Sequence, residues 1–165
     1  MAFYQYKHEQ FLPTDVDTLW DFISSPRNLK DITPPHMKFE ILSSFVPQKM
    51  YPGMMIEYII CPVAHVPVRW VTEITHVRNR SYFVDEQRIG PYKIWHHEHI
   101  IEQVEGGVVM HDIVSYSPPF GVFGRLANAF FIKNKVAEIF AYRETVLSTI
   151  FAHKTTHTTP AFNPN

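Results

Sequence analysis

The stretch FGVFGRLANAFFIKNKVAEIFAYRETVLSTIF, residues 120–151, decides how the rest of the chain must be arranged. Apolar side chains recur at helical spacing through Phe123, Leu126, Ala127, Phe130, Ala137, Phe140, Ala141 and Phe151, and Val136, Ile139, Val146, Leu147 and Ile150 widen the stripe. A face this broad must lie against an equally broad partner. As one straight helix at about 1.5 Å per residue, the segment would reach roughly 48 Å, too long for a small domain. Gly121 and Gly124 predict a short helical turn first, then a long helix ending near Phe151. Phe130, Phe140 and Leu147 are expected on its sheet side.

The preceding residues supply that sheet. Residues 3–12 alternate Phe3, Gln5, Lys7 and Glu9 with Tyr4, Tyr6, His8 and Gln10, a strand with one drier face, and Pro13 ends it. Thr14 is placed to cap a helix with Val16, Leu19, Trp20 and Ile23 on one stripe. Ser25-Pro26 starts a second short helix that carries Leu29 and Ile32 inward and stops before Pro34-Pro35. Strands are then expected over 37–45, 54–61, 68–76, 81–89, 92–104 and 108–117. The turns between them fall at Tyr51-Pro52-Gly53, a Pro62–Pro67 loop through His65, Asn79-Arg80, Gly90-Pro91 and Glu105-Gly106-Gly107. The fold class is α+β: a strand, two short helices, six more strands, and a long C-terminal helix. Residues 1–152 form one expected domain, and the tail HKTTHTTPAFNPN from His153 has no periodicity and is expected to be disordered.

Bulk properties narrow the partners. A content of 45% hydrophobic and 15% aromatic residues indicates a chain with a substantial core and aromatic surface to spare. The formal net charge of −1 offers no basic face for nucleic acid or an anionic bilayer. No apolar run is long enough to span a membrane. Cys61 is the single cysteine, so no intramolecular disulfide forms, and the start MAFYQYKHEQ lacks the regions of a signal peptide. A cytoplasmic location is expected.

Three phrases carry a resemblance: SSPRNLKDITPP (24–35), FVDEQRIGPYKIWHHEH (83–99) and SPPFGVFGRLA (117–127). With the element order, they resemble the bacterial ligand-binding proteins of the START-like, polyketide cyclase-like helix-grip superfamily (SRPBCC), over residues 3–150. The resemblance implies a curved antiparallel sheet wrapped round the C-terminal helix, with a cavity between them. It implies a bound lipid, sterol, quinone or aromatic polyketide, and in some members cyclisation, dehydration or hydrolysis. It implies no metal and no cofactor. Fold alone does not settle which of these applies.

Alternation selects the residues facing that cavity. Glu86, Arg88 and Glu98 belong outside, which turns inward Phe83, Asp85 and Gln87; Trp95, His97, His99 and Ile101; and Met110, Asp112, Val114 and Tyr116. Five of these are polar, and burying them without partners costs roughly 1–3 kcal/mol each. They either brace the sheet, with a histidine on Asp112, or orient a ligand. His96 falls on the opposite face, so the three histidines do not converge on a metal, although His97, His99 and Asp112 together match a two-histidine, one-carboxylate pattern. No GxSxG elbow or phosphate-binding glycine loop occurs, and Cys61 has no evident base nearby.

The expected function is binding of a hydrophobic, ring-containing small molecule by Tyr58, Trp70, Phe83, Asp85 and Gln87, with Trp95, His97, Asp112, Tyr116 and Phe130. The alternative is a metal-free cyclase or dehydratase using His97 or His99 as base and Asp112 to orient it. Trp20 is assigned to ordinary core, and Glu73 faces outward near Arg69 or Arg88.

Overall fold

The computed structural model describes residues 2–63 and 66–152. Strand β1 (Tyr4–Leu12) lays down the alternation seen in its sequence, with Tyr6, His8, Gln10 and Leu12 turned away from solvent. Helix α1 (Val16–Ile23) buries Leu19, Trp20 and Ile23. Its cap is Asp15 rather than Thr14: the Asp15 carboxylate accepts from the Thr18 backbone N–H at 2.7 Å and from its hydroxyl at 2.8 Å. A 3-10 turn, Pro26–Leu29, replaces the second short helix, and a further one, Pro35–Met37, follows where that helix was expected to have stopped; each is opened by a proline whose missing N–H costs nothing there.

The sheet has seven strands in the order β1-β7-β6-β5-β4-β3-β2. Strand β2 is only Glu40–Ile41; Lys38, with a left-handed φ of 47°, ends the preceding turn and keeps the extended run from starting at residue 37 as expected. β3 (Met54–Val63) and β4 (Val66–Arg78) run through Pro62 and Pro67, with a register shift between Ile60 and Val63. Those prolines were expected to bracket a loop; they sit instead at the irregular end of a hairpin, where a missing ladder donor is tolerated. β5 (Tyr82–Ile89), β6 (Ile94–Val104) and β7 (Gly107–Ser117) complete the curve. Every pairing is antiparallel.

The C-terminal segment divides as its glycines suggest. Helix α2 (Gly121–Ala127) passes through a π turn (Asn128–Ile132) into helix α3 (Lys133–Ala152). Gly124 has to be glycine: a Cβ there would meet the Pro119 carbonyl oxygen at 1.9 Å. On α3 the buried positions are Val136, Phe140, Arg143, Leu147 and Phe151, one stripe on the concave sheet. Leu147 and Phe151 join Leu19, Trp20, Phe83 and Met110 in the larger core cluster, and Phe140 joins Val114, Tyr116 and Val136 in a second.

Phe123, Leu126 and Phe130 depart from the expected stripe, being 78%, 52% and 79% exposed. The π turn accounts for this. Its extra residue rotates everything upstream, so that Gly124 and Asn128 face inward and the three apolar side chains face out. The tail from His153, and His65 of the expected loop, lie outside the described residues.

Candidate functional site

Strand register assembles a cluster under α3. Across β5–β6, Asp85 lies opposite His97; across β6–β7, His99 lies opposite Asp112. All four side chains emerge from one face, and the two imidazoles lie against each other with centroids 3.7 Å apart and planes tilted by 39°. Each ring then bridges the two carboxylates. His97 Nε2 lies 2.9 Å from Asp112 Oδ1, and its Nδ1 lies 3.4 Å from Asp85 Oδ2. His99 Nε2 lies 2.9 Å from Asp85 Oδ2, and its Nδ1 sits 2.9 Å from Asp112 Oδ1 at an angle too oblique for a hydrogen bond. His96 stays on the convex face with Glu86, at 3.0 Å.

His97, His99 and Asp112 are 4%, 5% and 2% exposed. Burial raises the pKa of Asp112, but hydrogen bonds and charge from both histidines outweigh it and hold this carboxyl well below the usual range. Asp85 is lowered the same way, against its own burial, by the charge and hydrogen bonds of His97 and His99. Burial lowers His97, and the Asp85 charge and Asp112 hydrogen bond more than reverse it.

Arg143 reaches this cluster from α3, with its Nη1 3.6 Å from Asp112 Oδ1 and its guanidinium over the Phe140 ring at 5.0 Å. It is 9% exposed, and its Nε and Nη1 have no hydrogen-bond partner. The side chain lines a cavity of about 120 Å³ together with Asp85, His97, His99, Tyr58, Trp70, Phe83 and Trp95. A second, mostly apolar chamber of about 460 Å³ lies between β3, β6, the Pro118-Pro119 corner and helix α2. Ile60, Trp70, Trp95 and Ile139 line both, so the chambers meet across these four side chains.

Thr72 settles the polar ends of the inner wall. Its hydroxyl takes the Trp70 indole N–H at 3.1 Å and lies 3.1 Å from the Tyr58 hydroxyl. Burial pushes the Tyr58 phenol far above its ordinary range, so it stays neutral.

Of the residues expected at the site, Tyr58, Trp70, Phe83, Asp85, Trp95, His97 and His99 border the inner cavity, and Asp112 stands behind the histidines. Like Asp112, three others do not border it. Gln87 is spent on the β5–β6 turn, donating to the Tyr92 carbonyl at 2.6 Å and accepting from its N–H at 3.1 Å. Tyr116 is buried and donates to Asn128 Oδ1 at 2.9 Å. Phe130 faces solvent, and Phe131 lines the outer chamber in its place. Thr72 and Arg143 were missed. Thr72 was legible as the inward neighbour two residues from Trp70, and Arg143 as the one charge within the 136–140–147 stripe.

The architecture is a helix-grip fold, a curved seven-stranded antiparallel sheet closed by a long C-terminal helix. Solved structures of that shape include Zhui aromatase/cyclase from Streptomyces sp. R1128, at a TM-score of 0.72 and 12% identity, covering 94% of this chain and 98% of that one. Ginseng major latex-like protein 151 from Panax ginseng is similar at 0.68 and 8%, covering 92% and 99%. TTHA0849 from Thermus thermophilus gives 0.66 and 12%, covering 93% and 100%. At these identities the likeness is one of fold. No protein-family model and no curated protein sequence matches the chain.

Proposed function

We propose that the protein binds a hydrophobic, ring-containing small molecule, with its ring system in the outer chamber and an oxygen-bearing end in the inner cavity. The carrying observation is Arg143. This guanidinium is 9% exposed beside a cavity, its Nε and Nη1 make no hydrogen bond, and Nη1 reaches Asp112 only at 3.6 Å, so a ligand oxygen would satisfy groups that are costly to bury. Trp70, Tyr92 and Trp95 supply flat apolar surface, and few polar groups fix orientation, which is the composition of a small-molecule site. Lipid, sterol, quinone and aromatic polyketide skeletons share this chemistry, and an aromatase/cyclase has the same fold.

The cyclase-type alternative needs a histidine free to take a proton from substrate. Here the ring nitrogens of His97 and His99 already face Asp85 and Asp112, so binding is the reading favoured. Residues 1–152 act as one binding domain, and the lone Cys61 suits a reducing cytoplasm. Among the described residues, no helix is long and apolar enough to cross a membrane. Quenching of tryptophan fluorescence by a panel of polycyclic aromatics, quinones and sterols tests the proposal. Saturable quenching that weakens in Trp95→Ala is expected; no saturable ligand in any class would refute it.

A further inference from the structure

We propose that Asp85, His97 and His99 form a binding site for a divalent first-row transition ion, with Asp112 as the carboxylate that orients the His97 ring. This departs from the expectation of no metal that the resemblance implies. His96, which the sheet points away, is not needed for the ligand set. The proposal does not depend on the ligand reading, since metal uptake is measured without any organic ligand.

Convergence is the first observation. One donor atom each from Asp85, His97 and His99 falls within 4.8 Å of the others. On the Asp85 side, His99 Nε2 and His97 Nδ1 stand 2.9 and 3.4 Å from the same oxygen, Oδ2. Donors about 2.1 Å from a four-coordinate ion are roughly 3.4 Å apart, so the ion needs only small side-chain shifts. Two histidines and one carboxylate, with further positions open, form a known set for iron(II) and zinc.

The opposite ring nitrogens give the second, independent observation. His97 Nε2 and His99 Nδ1 both lie 2.9 Å from Asp112 Oδ1. If the ion takes the lone pairs of His97 Nδ1 and His99 Nε2, the remaining His97 N–H donates to Asp112, while the His99 N–H lies 2.9 Å from the same oxygen at an oblique angle. For His97 that is the carboxylate–histidine–metal arrangement which fixes tautomer and ring angle. The cavity sorts the residues the same way: Asp85, His97 and His99 line it, while Asp112, 2% exposed, does not. Three ligands face open space and one carboxylate stands behind them.

The cavity of about 120 Å³ has room for water or a ligand oxygen on the open side of the ion.

The test uses the full chain, stripped with a chelator and titrated with Co(II), read by its visible d–d absorption and by calorimetry, then repeated with Zn(II). One equivalent is expected, with the spectrum of a nitrogen-coordinated, low-symmetry ion. Asp85→Asn and His99→Gln should each weaken binding at least tenfold. Asp112→Asn should weaken it by about 10–100-fold while keeping one equivalent. His96→Gln, on the convex face, should change nothing. Circular dichroism of each stripped variant checks folding; if Asp85→Asn does not fold, nitrogen-15 histidine spectra of the Zn(II)-loaded wild type replace it and should show His97 metallated at Nδ1 and His99 at Nε2. No stoichiometric uptake, or uptake that a folded Asp85→Asn retains in full, would overturn the proposal and leave a self-satisfied charge cluster. If Arg143→Met loses organic ligands but keeps the Co(II) spectrum, the two readings are independent.

Discussion

Trp70 and Trp95 meet edge to face, with ring centroids 5.3 Å apart and planes at 90°, and both line each of the two chambers. Trp70 is held by its N–H to Thr72, whereas Trp95 packs against Tyr92 and Tyr116 and is only half-buried. The shared wall is therefore held by a hydrogen bond at Trp70 and by packing alone at Trp95.

Trp95→Ala should remove ligand surface while sparing the fold. A ring ligand should bind at least tenfold more weakly, about 1.4 kcal/mol, as measured by calorimetry. Unchanged affinity would put the ligand elsewhere.

The grip of α3 on the sheet makes a paired stability prediction. Phe140→Ala should cost about 3–5 kcal/mol in urea denaturation, since the ring is 2% exposed. Phe130→Ala should stay within about 0.5 kcal/mol, since its ring faces solvent. Equal losses would contradict the phase set by the π turn.

That π turn marks where the sequence stopped being legible. The inward face of β5, β6 and β7 follows from period-two alternation and from Glu86, Arg88 and Glu98 marking the outside, whereas the place of β1 beside β7 is not written in alternation. Helical period cannot foresee one extra backbone residue, so the reading carried the Phe140 stripe straight back through Phe130. Gln87 shares the correct face with Asp85, yet the adjacent turn claims its amide. Arg143 was passed over because charge on a helix ordinarily signals the solvent side.

The cap of α1 distinguishes two neighbouring residues. Asp15→Ala should cost about 1 kcal/mol through loss of its bonds to Thr18, and Thr14→Ala should cost little. Thermal unfolding of both variants at neutral pH is sufficient.

Titration of the histidine–carboxylate cluster shapes the stability of the metal-stripped protein. His97 is raised above its ordinary 6.5, so its contribution is full below that value and is lost as pH rises through the folded pKa. Asp112 is lowered below its ordinary 3.8, so its contribution is full above that value and is lost as pH falls toward the folded pKa. Urea midpoints should plateau between these limits and decline on both sides. His97→Gln should flatten the alkaline decline; an alkaline limb unchanged in that variant would contradict the assignment.

The central claim, a ring ligand whose oxygen-bearing end meets Arg143, is tested by comparing matched ring compounds with and without a terminal carboxylate or carbonyl, on wild type and on Arg143→Met. Wild type should prefer the oxygen-bearing member of each pair by at least about tenfold, a charge-assisted hydrogen bond being worth roughly 1.5–3 kcal/mol, and Arg143→Met should erase that preference while still binding the bare ring. A preference that survives Arg143→Met undiminished would contradict the account.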